Sequence, residues 1–152
     1  MKVKIESIPH REHRYPTIGD FFTDVDNDTV IRVSSELSPK HQFLVTLHEF
    51  IESQLCRFDG VSWLDIDEFD KNFEEKRDKS DTSEPGDQTD APYKRQHQFA
   101  EQVERQVAKE MGVDWEEYMR ACEALYNIPI KKYIKEEVIY RGDGTHFVRR
   151  ID

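Results

Sequence analysis

The chain has 152 residues, enough for one domain with its own core, and its hydrophobic and charged fractions are both 36%. A formal net charge of −10 argues against nucleic acid or an anionic membrane as partner, since both call for a basic surface. No apolar run approaches the roughly 18 residues of a membrane span, "MKVKIESIPHREHR" has no apolar signal-peptide core, and the two cysteines, Cys56 and Cys122, are too far apart for a C-x-x-C pair, so a soluble protein of the reducing cytoplasm is expected.

The first 35 residues read as β structure. "KVKIESI" places Val3, Ile5 and Ile8 in a strand-like pattern, and "TVIRVSS" is dominated by β-branched residues. Between them, "PHREHRYPTIGDFF" is rich in turn formers, and His10 and His13, beside Arg11 and Arg14, read as a polar surface loop. "DVDNDT" reads as a hairpin turn. It is faintly similar to a calcium loop, but Thr29 stands where such a loop has glycine and its closing glutamate is missing.

The strongest helix signal follows. Ser38 is a good N-cap, Pro39 occupies the first helical position, and Phe43, Leu44, Leu47, Phe50, Ile51 and Leu55 recur at three-four spacing until Gly60. A second helix is expected over "SWLDIDEFDKNFEEKR", capped by Ser62. The span Asp65 to Asp90 then holds eleven acidic and four basic residues, −7 of the total −10, and reads as an acidic flexible insertion at about 65–92. A third helix runs from Tyr93 to about Met111, and a fourth is capped by Asp114 with Glu117 at capping-box spacing. Two short strands around Gly142-Asp143-Gly144 close the chain. Residues 1–152 thus form a single α+β domain: a small antiparallel or mixed N-terminal sheet on three to four helices, with a C-terminal hairpin.

"LVTLHEFIES" carries the chemistry. His48 and Glu52, four apart on one helix, share a face and can both reach one metal ion. Glu49, one residue on, suits the base that takes a proton from a metal-bound water. A catalytic zinc usually has three protein ligands and an open position. Of the other histidines (His10, His13, His41, His97 and His146), His97 is the candidate third ligand, since it too has a glutamate four residues on, Glu101.

"IRVSSELSPKHQFLVTLHEFIES" resembles the core segment of the ImmA/IrrE-type metallopeptidases, a minimal zincin family found in phage-related regulators. Those proteins have an edge strand, a cap like Leu37-Ser38-Pro39, and an apolar helix entering H-E-x-x-H, here Leu47-His48-Glu49. Their later helix carries a glutamate ligand just ahead of an A-N-x-F-A-like pattern; "QHQFA", Gln96 to Ala100, is similar and places His97 at the asparagine. Two departures stand out: Glu52 replaces the second histidine, and Tyr93, Lys94 and Arg95 offer no glutamate ahead of Gln96. The resemblance implies a zincin-like fold and a ligand set of two histidines and one carboxylate, rebuilt here as His48, Glu52 and His97. The segments "RYPTIGD", "HEFIE" and "EPGDxxDAPYxxxHxFAExVE" (Glu84 to Glu104) are also similar to small phage-encoded proteins.

Three functions compete. The first is a zinc-dependent peptidase-like hydrolase with Glu49 as base. Tyr93, Asp90 or Glu101 would support its site, and "TVIRVSS" would serve as an exposed edge strand for an extended protein or peptide substrate. The second is a non-catalytic phage regulatory or counter-defence module that binds a host protein in the host cytoplasm, with or without metal. The third is a magnesium-dependent nucleotide pyrophosphatase built on Glu49-x-x-Glu52 and Glu101-x-x-Glu104.

Overall fold

The computed structural model describes residues 1–78 and 80–131 in full, and only the backbone of two strands, Lys135–Tyr140 (β4) and His146–Ile151 (β5), beyond them. The turn at Gly142-Asp143-Gly144 and the side chain of His146 lie outside the described residues. The architecture is α+β: a three-stranded mixed sheet, four α-helices, and a separate antiparallel β4–β5 hairpin.

The sheet has the order β1-β3-β2, with β1 at Val3–Ile8, β2 at Gly19–Thr23 and β3 at Thr29–Ser34. β3 pairs in parallel with β1, Ile5 opposite Ile31, and antiparallel with β2, Phe21 opposite Ile31. The expected exposed edge, "TVIRVSS", is therefore the central strand. Val30, Ile31 and Val33 are all buried; the neighbours Val30 and Ile31 point to opposite faces, so both faces of this strand are covered. β2 did not read as a strand because Gly19 and Asp20 interrupt its pattern. It joins β3 through the 24–28 turn, where Asn27 takes a φ of 63° and the Asp24 carboxylate accepts the Asp26 and Asp28 amides. Lys4 bonds Asp24 at 2.5 Å and Lys2 bonds Asp28 at 3.0 Å, so resident ammonium groups neutralise this acidic turn.

The helices are α1 (Pro39–Asp59), α2 (Trp63–Lys76), α3 (Lys94–Glu110) and α4 (Trp115–Leu125). Three begin on side-chain caps: the oxygens of Ser38, Ser62 and Asp114 accept the amides of His41, Leu64 and Glu117. α1 ends on Gly60 at φ 72°, whose amide returns to Arg57 and Cys56. α1 packs chiefly on α3. Their directions oppose: Gln96 at the start of α3 bonds Asp59 at the end of α1, and Lys40 at the start of α1 reaches the Met111 carbonyl beyond α3. Ala100 and Ala108, both buried on α3, let the backbones approach. Leu44, Val45, Val33, Leu37, Tyr118 and Leu125 fill the main core between sheet, α1 and α4.

Two parts of the chain are less solvated than their composition suggests. Within the acidic span, α2 buries Asp67 and Asp70. The 9–15 segment exposes Pro9 and Arg11 but turns His10, His13 and Tyr15 inward, contrary to the polar surface loop expected for its histidines. His10 and His13 are 0% and 1% exposed, and both rings meet Ser34: His10 Nδ1 at 2.9 Å and His13 Nε2 at 3.1 Å from its oxygen. The Ser34 hydroxyl donates to the Ile18 carbonyl, so both imidazole nitrogens facing it act as N–H donors, and burial disfavours a second proton on either ring. Next to them Arg14, 1% exposed, forks between Asp20 and Asp67 with bonds of 2.6–2.8 Å, tying the segment to β2 and α2.

Burial lowers the His13 pKa to about 3, with neighbouring cationic groups adding to it. A histidine depressed below its unfolded value of about 6.5 supports the fold above that pH, and its support is lost as pH falls through the folded value. Urea unfolding from pH 7 down to 4 should therefore show stability dropping below about 6.5, by up to about 1.4 kcal/mol per pH unit from this group. His13→Gln should flatten that slope; an unchanged slope would show that His13 is not held neutral.

Candidate metal centre

The i,i+4 spacing on α1 sets His48 and Glu52 on its buried face, and the first turn of the antiparallel α3 brings His97 against them. All three are enclosed, at 8%, 4% and 5% exposure. His48 Nε2 lies 3.2 Å from Glu52 Oε2, His97 Nδ1 lies 2.9 Å from the same oxygen, and the two nitrogens are 3.1 Å apart. Three donor atoms bound to one tetrahedral zinc at 2.0–2.2 Å stand about 3.3 Å from one another, so the triangle needs to open by only a few tenths of an ångström. Among the described residues, the only other group with such spacing is Asp24, Asp26 and Asp28, which the lysines fill.

The outer nitrogens decide what the inner ones offer. His48 Nδ1 lies 2.9 Å from Glu104 Oε2, and His97 Nε2 lies 3.2 Å from Glu84 Oε2. With each carboxylate taking the N–H of its ring, neutral imidazoles would turn the lone pairs of His48 Nε2 and His97 Nδ1 toward each other and the Glu52 oxygen. Three converging acceptors need a positive charge between them. Without a metal that charge is protons. Burial works against charging His97, but the bonds from Glu52 and Glu84 outweigh it and push its pKa up to about 10; burial likewise opposes His48, which Glu104 and Glu52 hold well above its ordinary range. Two protonated nitrogens at 3.1 Å would repel, so protons fill the space less well than one cation.

Glu49 lines the same cleft, against β2: a Cβ on Gly19 would fall 2.5 Å from its Oε1. Burial pushes its carboxyl well above the ordinary range, and Glu52 adds to the shift. Beyond it sits Asp70, which accepts the Tyr93 hydroxyl at 2.6 Å and the Tyr15 hydroxyl at 3.2 Å; burial raises its pKa to about 8. The cleft has a volume of about 170 Å³ and is closed on its far side by α4, including Trp115 and Tyr118.

Of the expected supporting residues, Tyr93 sits edge-on to His97, with ring centroids 6.1 Å apart and its hydroxyl committed to Asp70. Glu101 is on the cleft wall but bonds Arg105 at 2.6 Å. Asp90 is exposed and takes no part in lining the cleft. Sequence reasoning passed over Glu84 and, as a partner of histidine, Glu104, which also accepts a hydrogen bond from Tyr118. The signal for Glu104 was present: seven residues span nearly two full helical turns, so Glu104 lies closer to the His97 stripe than Glu101 does. No protein-family model, curated protein or solved structure matches the chain.

A metal entering the centre must displace protons held at raised pKa. Zinc affinity should therefore rise with pH from about 6.5 towards 10, where His97 loses its proton unaided. Calorimetric titration in buffers of different ionisation enthalpy should show net proton release at pH 7. His97→Ala and Glu52→Ala should each abolish stoichiometric binding; full zinc content in either variant would break the ligand set.

Proposed function

We propose that the chain is a zincin-like zinc hydrolase that acts on a protein or peptide, with His48, Glu52 and His97 holding the metal and Glu49 as general base. One observation carries the reading: one nitrogen of each of two buried imidazoles converges with the oxygen of a third buried carboxylate, all within 3.2 Å of one another, while a further carboxylate holds each ring's outer nitrogen. Two imidazoles and one carboxylate suit zinc, whereas magnesium prefers oxygen ligands and keeps its waters. When bound, zinc lowers the pKa of a water in its open position and polarises a carbonyl.

The chain's own residues supply the rest. Glu49, in the same cleft and with its proton affinity raised well above the ordinary carboxylate range by burial, accepts the proton that an attacking water loses. Glu104 and Glu84 fix which nitrogen each histidine presents. The docking role first expected of β3 passes to β2, an edge of the sheet by hydrogen bonding, whose Gly19 lies against Glu49. An extended segment added there runs past the base and the centre. β5 comes near β2 without joining its sheet.

The nucleotide pyrophosphatase reading has less support. Its four carboxylates line one cleft but do not form one ligand set: Glu104 is on His48 and Glu101 on Arg105. Among the described residues, the cleft lining contains no lysine or arginine to meet a phosphate chain. The similarity to phage-encoded proteins makes a host protein in the host cytoplasm the natural target.

Glu49→Gln separates a catalytic from a structural metal centre. Zinc content should stay at the wild-type level, while cleavage of a mixed peptide library, read by mass spectrometry, should fall about 10²–10⁴-fold. Wild-type cleavage by the variant would sink Glu49 as base. Zinc bound at full stoichiometry with no cleavage by the wild-type chain would favour the non-catalytic binding module.

A further inference from the structure

His97 is the least constrained of the three ligands by its own helix. It stands in the first turn of α3, whose N-cap, Tyr93, makes no side-chain cap. An imidazole there can rotate about two bonds and present either nitrogen. What holds it comes from a turn in the acidic stretch, the short 3-10 segment Pro85–Asp87. Gly86 is buried against the ring itself: a Cβ at this position would fall 2.4 Å from His97 Cγ, 2.6 Å from Nδ1 and 2.7 Å from Cδ2. Gly86 does not take a positive φ, so glycine is required there by the imidazole and not by the backbone. Two residues before it, Glu84 places Oε2 3.2 Å from His97 Nε2.

The turn is built to hold this position. Pro85 fixes φ at its start, the Asp87 amide bonds the Glu84 carbonyl, and the Gln88 amide bonds Pro85. The Gln88 side chain closes back on Ser83 and on the Glu84 carbonyl, each at 3.2 Å. Tyr93 limits the ring from another direction, its own ring nearly perpendicular at 89°.

We infer that residues 84–87 form a clasp for the third metal ligand, in which Gly86 sets the plane of the His97 ring and Glu84 sets which nitrogen faces Glu52 and His48. Both are positioning residues, and the inference rests on the metal reading above. Because metal binding needs the seated ring, zinc occupancy and seating of the turn are coupled, and the coupling is reciprocal. The 84–87 turn is then a working part of the centre, and Gly86→Ala acts as a steric block on a ligand that Gly86 never bonds.

The test is zinc affinity by competition with a chromophoric chelator, with hydrogen exchange of residues 82–90 measured with and without zinc. Glu84→Ala should weaken zinc about 10–100-fold, and Glu84→Gln, which keeps an oxygen acceptor for Nε2–H, should recover most of the loss. Gly86→Ala should weaken zinc at least as much. Zinc should slow exchange across the turn in the wild-type chain, and this protection should vanish in His97→Ala. Thermal unfolding of the metal-free proteins supplies the fold control: adding Gly86→Ala to His97→Ala should cost little further stability, since the clashing ring is gone. Wild-type zinc affinity in both Glu84→Ala and Gly86→Ala would overturn the clasp while leaving the metal reading intact. A wild-type chain that takes no zinc would overturn both.

Discussion

The structure depends on burying carboxylates with too few fixed cations to match them. Glu52, Glu84 and Glu104 surround two imidazoles between α1 and α3, and Glu49 stands one residue from His48 in the same cleft. An unpaired buried carboxylate is costly, so this packing is stable only if positive charge enters with it. Each surrounding element is tied to the arrangement through one contact. Tyr118 brings α4 to Glu104, Gly86 brings the 84–87 turn to the His97 ring, and Gly19 brings β2 to Glu49. Ala100 contributes by absence of bulk, since a larger side chain on that face of α3 would move His97 away from α1.

A second cluster nearby solves the same problem differently. Asp20 and Asp67 are buried as deeply, but Arg14 bonds both with its fork, a cation that does not titrate near neutrality. That fork pins the 9–15 segment, β2 and α2 into one wall, and Asp70 at the wall's inner end is left with two tyrosine hydroxyls and a pKa of about 8. One half of the interior therefore carries its own fixed cation. The other half carries imidazoles, which can exchange protons for a metal. The contrast places the replaceable charge in the half that also contains the cleft and Glu49.

The helices were legible because their boundaries are local chemistry. Ser38, Ser62, Asp114 and Gly60 cap as their residue types dictate, whatever they pack against. The sheet was less legible. β2 is defined by its partner β3 rather than by its own pattern, and β3 looks like an edge only until a parallel neighbour, distant in sequence, covers its other side. His48, Glu52 and His97 could be proposed from spacing on two helices. Glu84 could not, since a glutamate in an acidic, Gly- and Pro-containing stretch has the composition of solvated chain and gains its partner only when the turn folds onto α3. His10 and His13 misled for the same reason: flanking arginines suggested solvent, while Ser34, on a strand more than twenty residues away, takes both rings inside.

The placement of a carboxylate on α1 and an imidazole on α3 has consequences that reach past the cluster itself. At position 52 the carboxylate stands one turn from His48 on a helix packed against α3, β3 and β2, so its distance to that imidazole is set by helix geometry. The His97 imidazole on α3 has an outer nitrogen that needs a partner of its own, which a carboxylate at that place would not. Glu84 fills that requirement from a turn that composition alone makes look dispensable, and Gly86 is the residue that lets the turn come close enough to do so. An imidazole rather than a carboxylate on α3 thus changes what must stand behind it, and the 84–87 turn is where this chain meets that demand.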